Sequence, residues 1–259
     1  MNIEHLSVSR HDLWKECQQK YKFKYHLKIK IDEPEKPYFM YGKVVHKIFE
    51  EYTLAKGEKS LSAIAKNVLD GNILLEDNQP DQKIPREELP NSYLKRLPKH
   101  LEAFSKVVNS MGFSGHTEYE FEYDLDPPNK KLVYGFIDRL IFKKDHIFIL
   151  DYKTTQQGPY RKDKFTIMKD LQLQCYALIA MKQFKVPAKN IHTTLYYLDD
   201  EEMIGATFSE QTLLAAEAKL LSVYNDIQAL HEKDAKGYVG KHCQRCDYRK
   251  ICPFYSLIG

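Results

Sequence analysis

The stretch "GFIDRLIFKKDHIFILDYKTTQ", residues 135–156, joins two apolar runs through a polar segment at 143–146. Apolar runs rich in Ile, Leu and Phe on either side of a short polar segment predict a β-hairpin. Both faces of the predicted strands are apolar near the turn, so we expect the hairpin to lie centrally in its sheet. Three charged residues nevertheless occupy it, namely Asp138, Asp151 and Lys153.

The register of the hairpin follows from its turn. If residues 143–146 form a four-residue turn, Phe142 pairs with Ile147, and counting back along the ladder places Asp138 opposite Asp151. Opposed carboxylates repel each other by a few tenths to about 1 kcal/mol, and by more when partly buried. A divalent cation such as Mg²⁺ or Mn²⁺ would offset this repulsion, because it binds carboxylate, carbonyl and water oxygens.

Lys153 lies two residues after Asp151 and therefore on the same face of its strand. Two acids and an amine around one metal suit phosphodiester hydrolysis. The metal lowers the pKa of a bound water, and the lysine orients that water or neutralises developing negative charge. A D-x-K tripeptide on its own more often forms a structural ion pair, so the hypothesis depends on further motifs.

The pattern of the whole chain predicts an α/β fold with a central mixed β-sheet flanked by helices. One helix should start at Ser9, with Asp12 completing a capping box, and carry Trp14, Cys17 and Tyr21. The remaining elements are predicted from their periodicity: helices at 41–55, 166–184 and 209–231, and strands at 117–125, 131–142, 146–154, 191–199 and 203–209.

Composition indicates one soluble globular domain over 1–259. With 259 residues, of which 43% are hydrophobic and 29% charged, the chain can bury one large core or a core plus a small subdomain. The polar segment 57–116 is predicted to be a helical insertion or lid. No long apolar run is present, and the first residues carry charge where a signal peptide would be apolar, so we expect a cytoplasmic protein without a membrane partner.

Two segments, 10–30 and 236–252, are strongly basic and rich in aromatic residues. Cations that follow phosphates and rings that stack on bases are typical of proteins that bind single-stranded nucleic acid. Two lysine-rich, solvated surfaces without a partner are an equally good interpretation of these segments alone.

The hairpin motif resembles that of the PD-(D/E)XK nuclease superfamily, with Asp138 as the first acid and Asp151-Tyr152-Lys153 as D-x-K. Ile137 stands where the name-giving proline would be. RecB-like members tolerate this departure and show G-x-x-D instead, which Gly135 and Asp138 match.

Two further motifs are similar to those of the RecB-like branch. "GKVVH" (42–46) resembles its G-x-x-x-H, and "QLQCY" (172–176) its Q-x-x-x-Y. The resemblance implies a set of metal ligands and catalytic residues. The metal ligands are His46, Asp138, Asp151 and the backbone carbonyl of Tyr152; the catalytic residues are Asp138, Asp151, Lys153, Gln172 and Tyr176. An upstream glutamate also recurs in this branch, and Glu120 is weakly favoured over Glu118 and Glu122.

Cys243, Cys246 and Cys252 form C-x2-C-x5-C, which is compatible with a zinc site, a redox pair or an iron–sulfur site. Three thiols need a fourth ligand, and Cys175 is better interpreted as a small core residue. Cys17 remains. One early cysteine followed by this C-terminal motif resembles RecB-like nucleases with a 4Fe–4S cluster, including AddB-type repair nucleases and CRISPR adaptation nucleases of the Cas-four type.

The resemblance implies a cluster module formed by 1–30 and 237–259. A link from Cys17 to Cys243 closes a loop of more than two hundred residues, and chain entropy gives such a cross-link about 5 kcal/mol. We therefore expect a structural cluster that holds both basic termini together. Zinc is the alternative, with His242 as a possible ligand.

The leading hypothesis is a Mg²⁺- or Mn²⁺-dependent deoxyribonuclease with a 4Fe–4S cluster. We expect an exonuclease that acts on single-stranded DNA or DNA ends in repair, recombination, CRISPR adaptation or phage DNA processing, with protein partners in such a pathway. One alternative is a catalytically weak subunit that uses a nuclease fold for DNA binding or assembly. Another is a zinc-stapled protein unrelated to nucleases.

Overall fold

The computed structural model describes residues 1, 3–31, 35–76, 84–158 and 161–255. Two compact units make up the chain: unit 1 is Met1–Pro34, Phe121–Gly135 and Gln211–Gly259, and unit 2 is Glu35–Glu120 and Phe136–Glu210. Residues 77–83 of the predicted lid and 256–259 of the predicted cluster module lie outside the described residues. No helix in the described ranges has both the length and the apolar character needed to cross a membrane.

A five-stranded sheet with the order β1-β2-β3-β4-β5 organises the fold. The strands are β1 His116–Asp124, β2 Leu132–Lys143, β3 His146–Lys153, β4 Ile191–Tyr197 and β5 Glu202–Ala206. The helices are α1 Val8–Glu16, α2 Gln18–Tyr21, α3 Pro37–Leu54, α4 Leu61–Leu69, α5 Pro85–Glu88, α6 Asn91–Leu94, α7 Leu97–Met111, α8 Leu171–Phe184 and α9 Glu210–Ala229. β2 and β3 pair antiparallel, β3 and β4 parallel, and β4 and β5 antiparallel, which confirms the predicted mixed sheet flanked by helices.

The predicted hairpin is β2–β3, and β3 is the middle strand of the sheet. Phe142 pairs with Ile147 as predicted, but Lys143 also pairs with His146, so the turn has two residues instead of four. The register is unaffected. The loop loses one residue from each side, Lys143 and His146, and these two pair with each other without any shift of one strand along the other.

In unit 2, the two faces of the hairpin pack against different helices. Ile141, Leu150 and Tyr152 belong to a core with residues of α3, α4 and α7, where Phe49 stacks on Phe104 at 3.9 Å between ring centroids. On the other face, Phe142 of β2 meets Phe184 of α8 at 5.0 Å. Alternation along the strands thus supplies apolar side chains to both faces.

The boundaries of two helices in unit 2 follow from their first residues. α3 begins at Pro37, four residues before the predicted Tyr41, since proline suits the first turn of a helix. α8 begins after Asp170, whose carboxylate accepts a hydrogen bond from the Leu173 N–H at 3.0 Å. Segment 57–116 contributes α4 to α7, and its role as an insertion or lid stays a prediction.

In unit 1, α1 is capped by Ser7, whose hydroxyl accepts from the Arg10 N–H at 3.2 Å. The predicted start at Ser9 is wrong, because the earlier serine makes the capping hydrogen bond and Ser9 lies inside the helix. The prediction that this helix carries Cys17 and Tyr21 is also wrong, since Cys17 is extended and separates α1 from α2.

A tertiary contact accompanies this break. The N–H of Gln19 donates to the carbonyl of Lys236 at 3.0 Å, and the N–H of Lys236 donates to the side chain of Gln18 at 3.1 Å. Pairing with a segment more than two hundred residues away cannot be predicted from local helix signals.

A buried polar network in unit 2 holds the chain just after β3. Tyr41 donates to Nδ1 of His100 at 2.9 Å, and Nε2 of His100 lies 3.1 Å from Asp199. Arg96 pairs with Asp199 and donates from Nη2 to the carbonyl of Thr154 at 2.5 Å. The geometry assigns a neutral His100 with its proton on Nε2. Thr154 directly follows Lys153, so the network fixes the end of the strand that carries Asp151 and Lys153.

The network predicts a pH-dependent contribution to stability. Burial lowers the pKa of His100 below 6.5, against the opposing effect of Asp199. The unfolded chain therefore takes up a proton before the folded one, and stability from neutral His100 is lost as the pH falls through 6.5. We expect His100→Gln to destabilise the protein by about 1–3 kcal/mol at about pH 8 and by less at about pH 5. Urea unfolding of both proteins at both pH values measures this, and a difference that grows on acidification would contradict it.

Candidate active site

The acids of the hairpin are buried. Asp138 is 8% exposed and Asp151 only 1%. The ladder of β2 and β3 runs from Lys143–His146 to Arg139–Leu150, and the two aspartates follow this last pair on their strands. Burial raises the pKa of both carboxyls. The negative charge of Asp138 raises the pKa of Asp151 further, and the Lys153 ammonium lowers it; the pKa of Asp151 is raised to about 6. Two acids held this way attract any cation that can enter.

His46 on α3 faces the hairpin. Its Nε2 lies 3.1 Å from the carbonyl oxygen of Tyr152, and its Nδ1 lies 3.4 Å from Glu118 and 3.6 Å from Oδ2 of Asp138. Burial lowers the pKa of His46, but the Asp138 and Glu118 carboxylates outweigh it and raise the pKa to about 9. The imidazolium thus offsets the acids when no other cation is bound.

Glu118 in β1 is one of three alternating glutamates among which the sequence weakly favoured Glu120. In the structure the carboxylate that lies beside His46 is that of Glu118. Its φ of 43° lies in the left-handed region, which is rare for a non-glycine residue in a strand and disturbs the simple alternation used to compare the glutamates. Such local strain is often found at functional sites.

The donor set fits a divalent cation. Nδ1 of His46 and carboxylate oxygens of Glu118 and Asp138 all lie within 4.8 Å of one another. Ligands of an octahedral ion with bonds of about 2.1 Å are separated by about 3 Å for neighbours and about 4 Å for opposite donors. Asp151 lies outside this closest group. Its buried Oδ2 makes no hydrogen bond of ordinary geometry with any described residue, although the Lys153 ammonium is 2.5 Å away. That oxygen therefore has acceptor capacity left for a cation.

The Tyr152 backbone connects the ligands to one another. Its N–H donates to Oδ2 of Asp138 at 2.7 Å, while its carbonyl accepts from Nε2 of His46. A ligating histidine commonly donates its second N–H to such a carbonyl, which orients the ring. Direct coordination of a metal by this carbonyl stays a prediction.

Lys153 is linked to the helix motif. Its ammonium lies beside Asp151 and donates to the side-chain oxygen of Gln172 at 3.4 Å. Gln172 in turn donates to the Tyr176 hydroxyl at 2.7 Å. Burial lowers the pKa of Lys153, but the Asp151 and Asp138 carboxylates outweigh it and raise the pKa above its usual value, so the amine stays charged. The motif of α8 therefore reaches the D-x-K lysine directly.

The structure thus brings the predicted residues of unit 2 to one place: His46, Asp138, Asp151, Tyr152, Lys153, Gln172 and Tyr176. Sequence reasoning missed Arg96 and His100, which hold the strand end through Asp199 and Thr154. The only local signal was their i, i+4 spacing within the segment 57–116, which was predicted to be helical.

The remaining predicted residues meet in unit 1. Cys17, Cys243, Cys246 and Cys252 line one cavity, together with His242 and aromatic and basic side chains. Burial raises the pKa of the Cys246 thiol, and the nearby Cys17 and Cys252 add to this effect. Nε2 of His242 is buried and has no hydrogen-bond partner within the part of the chain that the structure describes. Cys175 lies in α8 and is fully buried, which confirms its interpretation as a core residue.

A buried acidic pair, a histidine and a lysine at the centre of a mixed sheet are typical of metal-dependent phosphodiester hydrolases. Residues 5–253 match the PD-(D/E)XK nuclease superfamily, so the chain belongs to this superfamily, whose nucleases use divalent metal ions. Two solved structures are similar. SSO0001 is 16% identical with a TM-score of 0.40 over 91% of this chain and 94% of that one. A candidate exonuclease from Eubacterium rectale is 14% identical with a TM-score of 0.48 over 86% and 82%. No curated protein sequence matches.

The site predicts which glutamate of β1 supports metal binding. We expect Glu118→Gln to weaken Mn²⁺ binding by roughly 10-fold or more, because it removes one charged oxygen donor beside His46. Glu120→Gln is the matched control on the same strand and should bind nearly as the parent does. Isothermal titration with Mn²⁺ measures both, and equal losses in the two variants would contradict the assignment.

Proposed function

We propose that the protein is a Mg²⁺- or Mn²⁺-dependent deoxyribonuclease of the RecB-like branch, acting as an exonuclease on single-stranded DNA or DNA ends. One observation carries the proposal: the buried acids of the central hairpin lie beside His46, Glu118 and a charged lysine. A binding protein would not need two repelling carboxylates and a charged amine at this position.

The proposed ligands are His46, Glu118, Asp138 and Asp151, with the carbonyl of Tyr152 as the further predicted donor. A divalent ion there would activate a water and neutralise charge on phosphate oxygens. The imidazole donor favours Mn²⁺ over Mg²⁺, because Mg²⁺ prefers oxygen ligands more strictly. Since His46 holds a proton up to a pH of about 9, metal binding must release it and should strengthen as the pH rises.

Lys153 has the central role among the side chains that do not bind the metal. Its raised pKa makes it a poor proton acceptor, so we assign it electrostatic stabilisation of the phosphate and orientation of the attacking water. Gln172 holds the ammonium from one side, and Tyr176 holds Gln172. These contacts fix the lysine before substrate arrives, which avoids reorganisation during the reaction.

A preference for single strands is supported by the basic and aromatic segments 10–30 and 236–252. Cations along the backbone and rings against bases bind single strands with little sequence preference. We assign this activity to DNA repair, recombination, CRISPR adaptation or phage DNA processing. The protein would act together with protein partners in such a process.

We further propose that the four cysteines of unit 1 hold a 4Fe–4S cluster with a structural role. They line one cavity formed by both ends of the chain. Tetrahedral zinc would place its sulfurs about 3.8 Å apart. A cluster separates its ligands more widely than one ion does. Zinc with His242 is the alternative. It is favoured by the buried Nε2 of that histidine, which no described residue hydrogen-bonds.

The second candidate function is DNA binding or assembly by a catalytically weak subunit with the same fold. The cavity of unit 1 and the basic segments support it as well as they support the nuclease, since neither needs the acids. Only the nuclease would cleave DNA efficiently, so a cleavage assay distinguishes the two functions.

The nuclease proposal predicts metal-dependent cleavage of end-labelled linear single-stranded DNA in Mn²⁺. Asp151→Ala should abolish cleavage, and Lys153→Ala should reduce it about 10²- to 10³-fold while metal binding persists, because only charge stabilisation is lost. Lys144→Ala, at the exposed turn of the same hairpin, is the matched control and should retain full activity. Circular and double-stranded DNA test the preference for ends and single strands. Cleavage that is absent, or unchanged in Asp151→Ala, favours the binding subunit.

The cluster proposal predicts about four iron and four sulfide per chain after purification without oxygen. Cys243→Ala should lose both, since it removes one of the cavity thiols, whereas Cys175→Ala should keep them because Cys175 lies in α8 of unit 2. Elemental analysis and the visible absorption spectrum provide the measurement. Finding zinc without iron would contradict the cluster assignment and would leave the nuclease proposal unaffected.

A further inference from the structure

Two aromatic side chains lie exposed at the start of α3. Tyr38 is 50% exposed and Phe39 57%, and their ring centroids are 4.4 Å apart with a tilt of 41°. Single exposed apolar residues are ordinary on protein surfaces. Two exposed rings in contact form a larger apolar surface than a single exposed residue does. Such a surface suits a partner with a flat apolar face.

The position of these rings relative to the candidate active site is fixed by the helix itself. Phe39 precedes His46 by seven residues on α3, which is two turns, so both side chains project from the same stripe of the helix. The rise of about 1.5 Å per residue separates them by about 10 Å along the axis. That span equals about three stacked nucleotides of one strand.

Gly42 leaves the stripe between Phe39 and His46 bare. Among the described residues, an added Cβ there would meet Thr154 Oγ1 at 3.8 Å, which is an ordinary contact, so packing against these residues does not require glycine. Glycine within a helix is less favourable than alanine. A cost without a packing reason is consistent with space reserved for something that approaches the helix between the rings and the histidine.

We propose that Tyr38 and Phe39 form a stacking platform for one unpaired base within about three nucleotides of the phosphate that is cleaved. This inference rests on the proposed nuclease function and adds the place where the strand is held. The rings accept any base, because every base has a π-face, and they favour single strands, because a paired base has its faces covered by its neighbours. The strand then passes Gly42 and reaches His46.

A set of single-stranded oligonucleotides with one abasic site moved along the strand tests the proposal. The parent protein should show a raised KM, by roughly 5- to 100-fold, when the missing base is the one that stacks. The double variant Tyr38→Ala with Phe39→Ala should already show the raised KM with the intact oligonucleotide. Removing the stacking base should then raise its KM no further. Its kcat should stay unchanged, because stacking is equal in ground and transition states.

Controls separate stacking from folding and from catalysis. Leu54→Ala removes an exposed apolar side chain, 62% exposed, at the other end of the same helix and should leave KM unchanged. Tyr38→Phe with Phe39→Tyr keeps both rings and should restore the parent KM. An unchanged KM in the double alanine variant, or equal sensitivity to every abasic position, would overturn the platform.

A direct readout works without cleavage. With metal chelated, 2-aminopurine placed at the stacking position should lose fluorescence on binding to the parent and keep it with the double alanine variant. If the parent quenches the probe but does not cleave DNA with metal, the nuclease function fails and the platform stands. If it cleaves without ring-dependent quenching, the platform fails and the nuclease function stands.

Discussion

The burial of Asp138 and Asp151 on the two central strands is the constraint on which unit 2 depends. Each carboxylate raises the energy of the other, and burial raises it further. The surrounding groups offset this energy. The Tyr152 N–H donates a hydrogen bond to Asp138, the positively charged His46 lies beside Asp138, and the Lys153 ammonium lies beside Asp151. An apolar pair at these positions would stabilise the sheet more simply, so the acids are better explained by chemistry than by folding.

Much of the fold follows from patterns that need only local information. The apolar runs around residues 143–146 predict the central hairpin, and the symmetric turn keeps its register even though the loop is shorter than expected. The resemblance to the RecB-like branch implies that His46 and Gln172 belong to the same site as the hairpin, and the structure brings them there. Family resemblance carried most of this inference, since an isolated D-x-K or a single helix histidine identifies no site.

The remainder could not be predicted because it depends on backbone angles and distant contacts. The left-handed φ of Glu118 leaves no trace in a run of alternating glutamates, so alternation could not distinguish Glu118 from Glu120. The break at Cys17 accompanies a hydrogen bond from Gln19 to Lys236, which no helix signal contains. Arg96 and His100 act through Asp199, a partner about one hundred residues away in the sequence. Each failure has the same cause: tertiary structure overrides a local preference.

α3 connects the stability of unit 2 to its chemistry. One side of the helix buries Tyr41, Val45 and Phe49 in the core, and this packing fixes the rotation of the helix about its axis. Once the rotation is fixed, His46 must point at the hairpin, and Phe39 must lie on the same stripe two turns away. A rigid helix therefore sets both the orientation of a metal ligand and its distance from an exposed ring. Placing both on one packed element is more accurate than placing them on separate loops, because their separation cannot change without unfolding the helix.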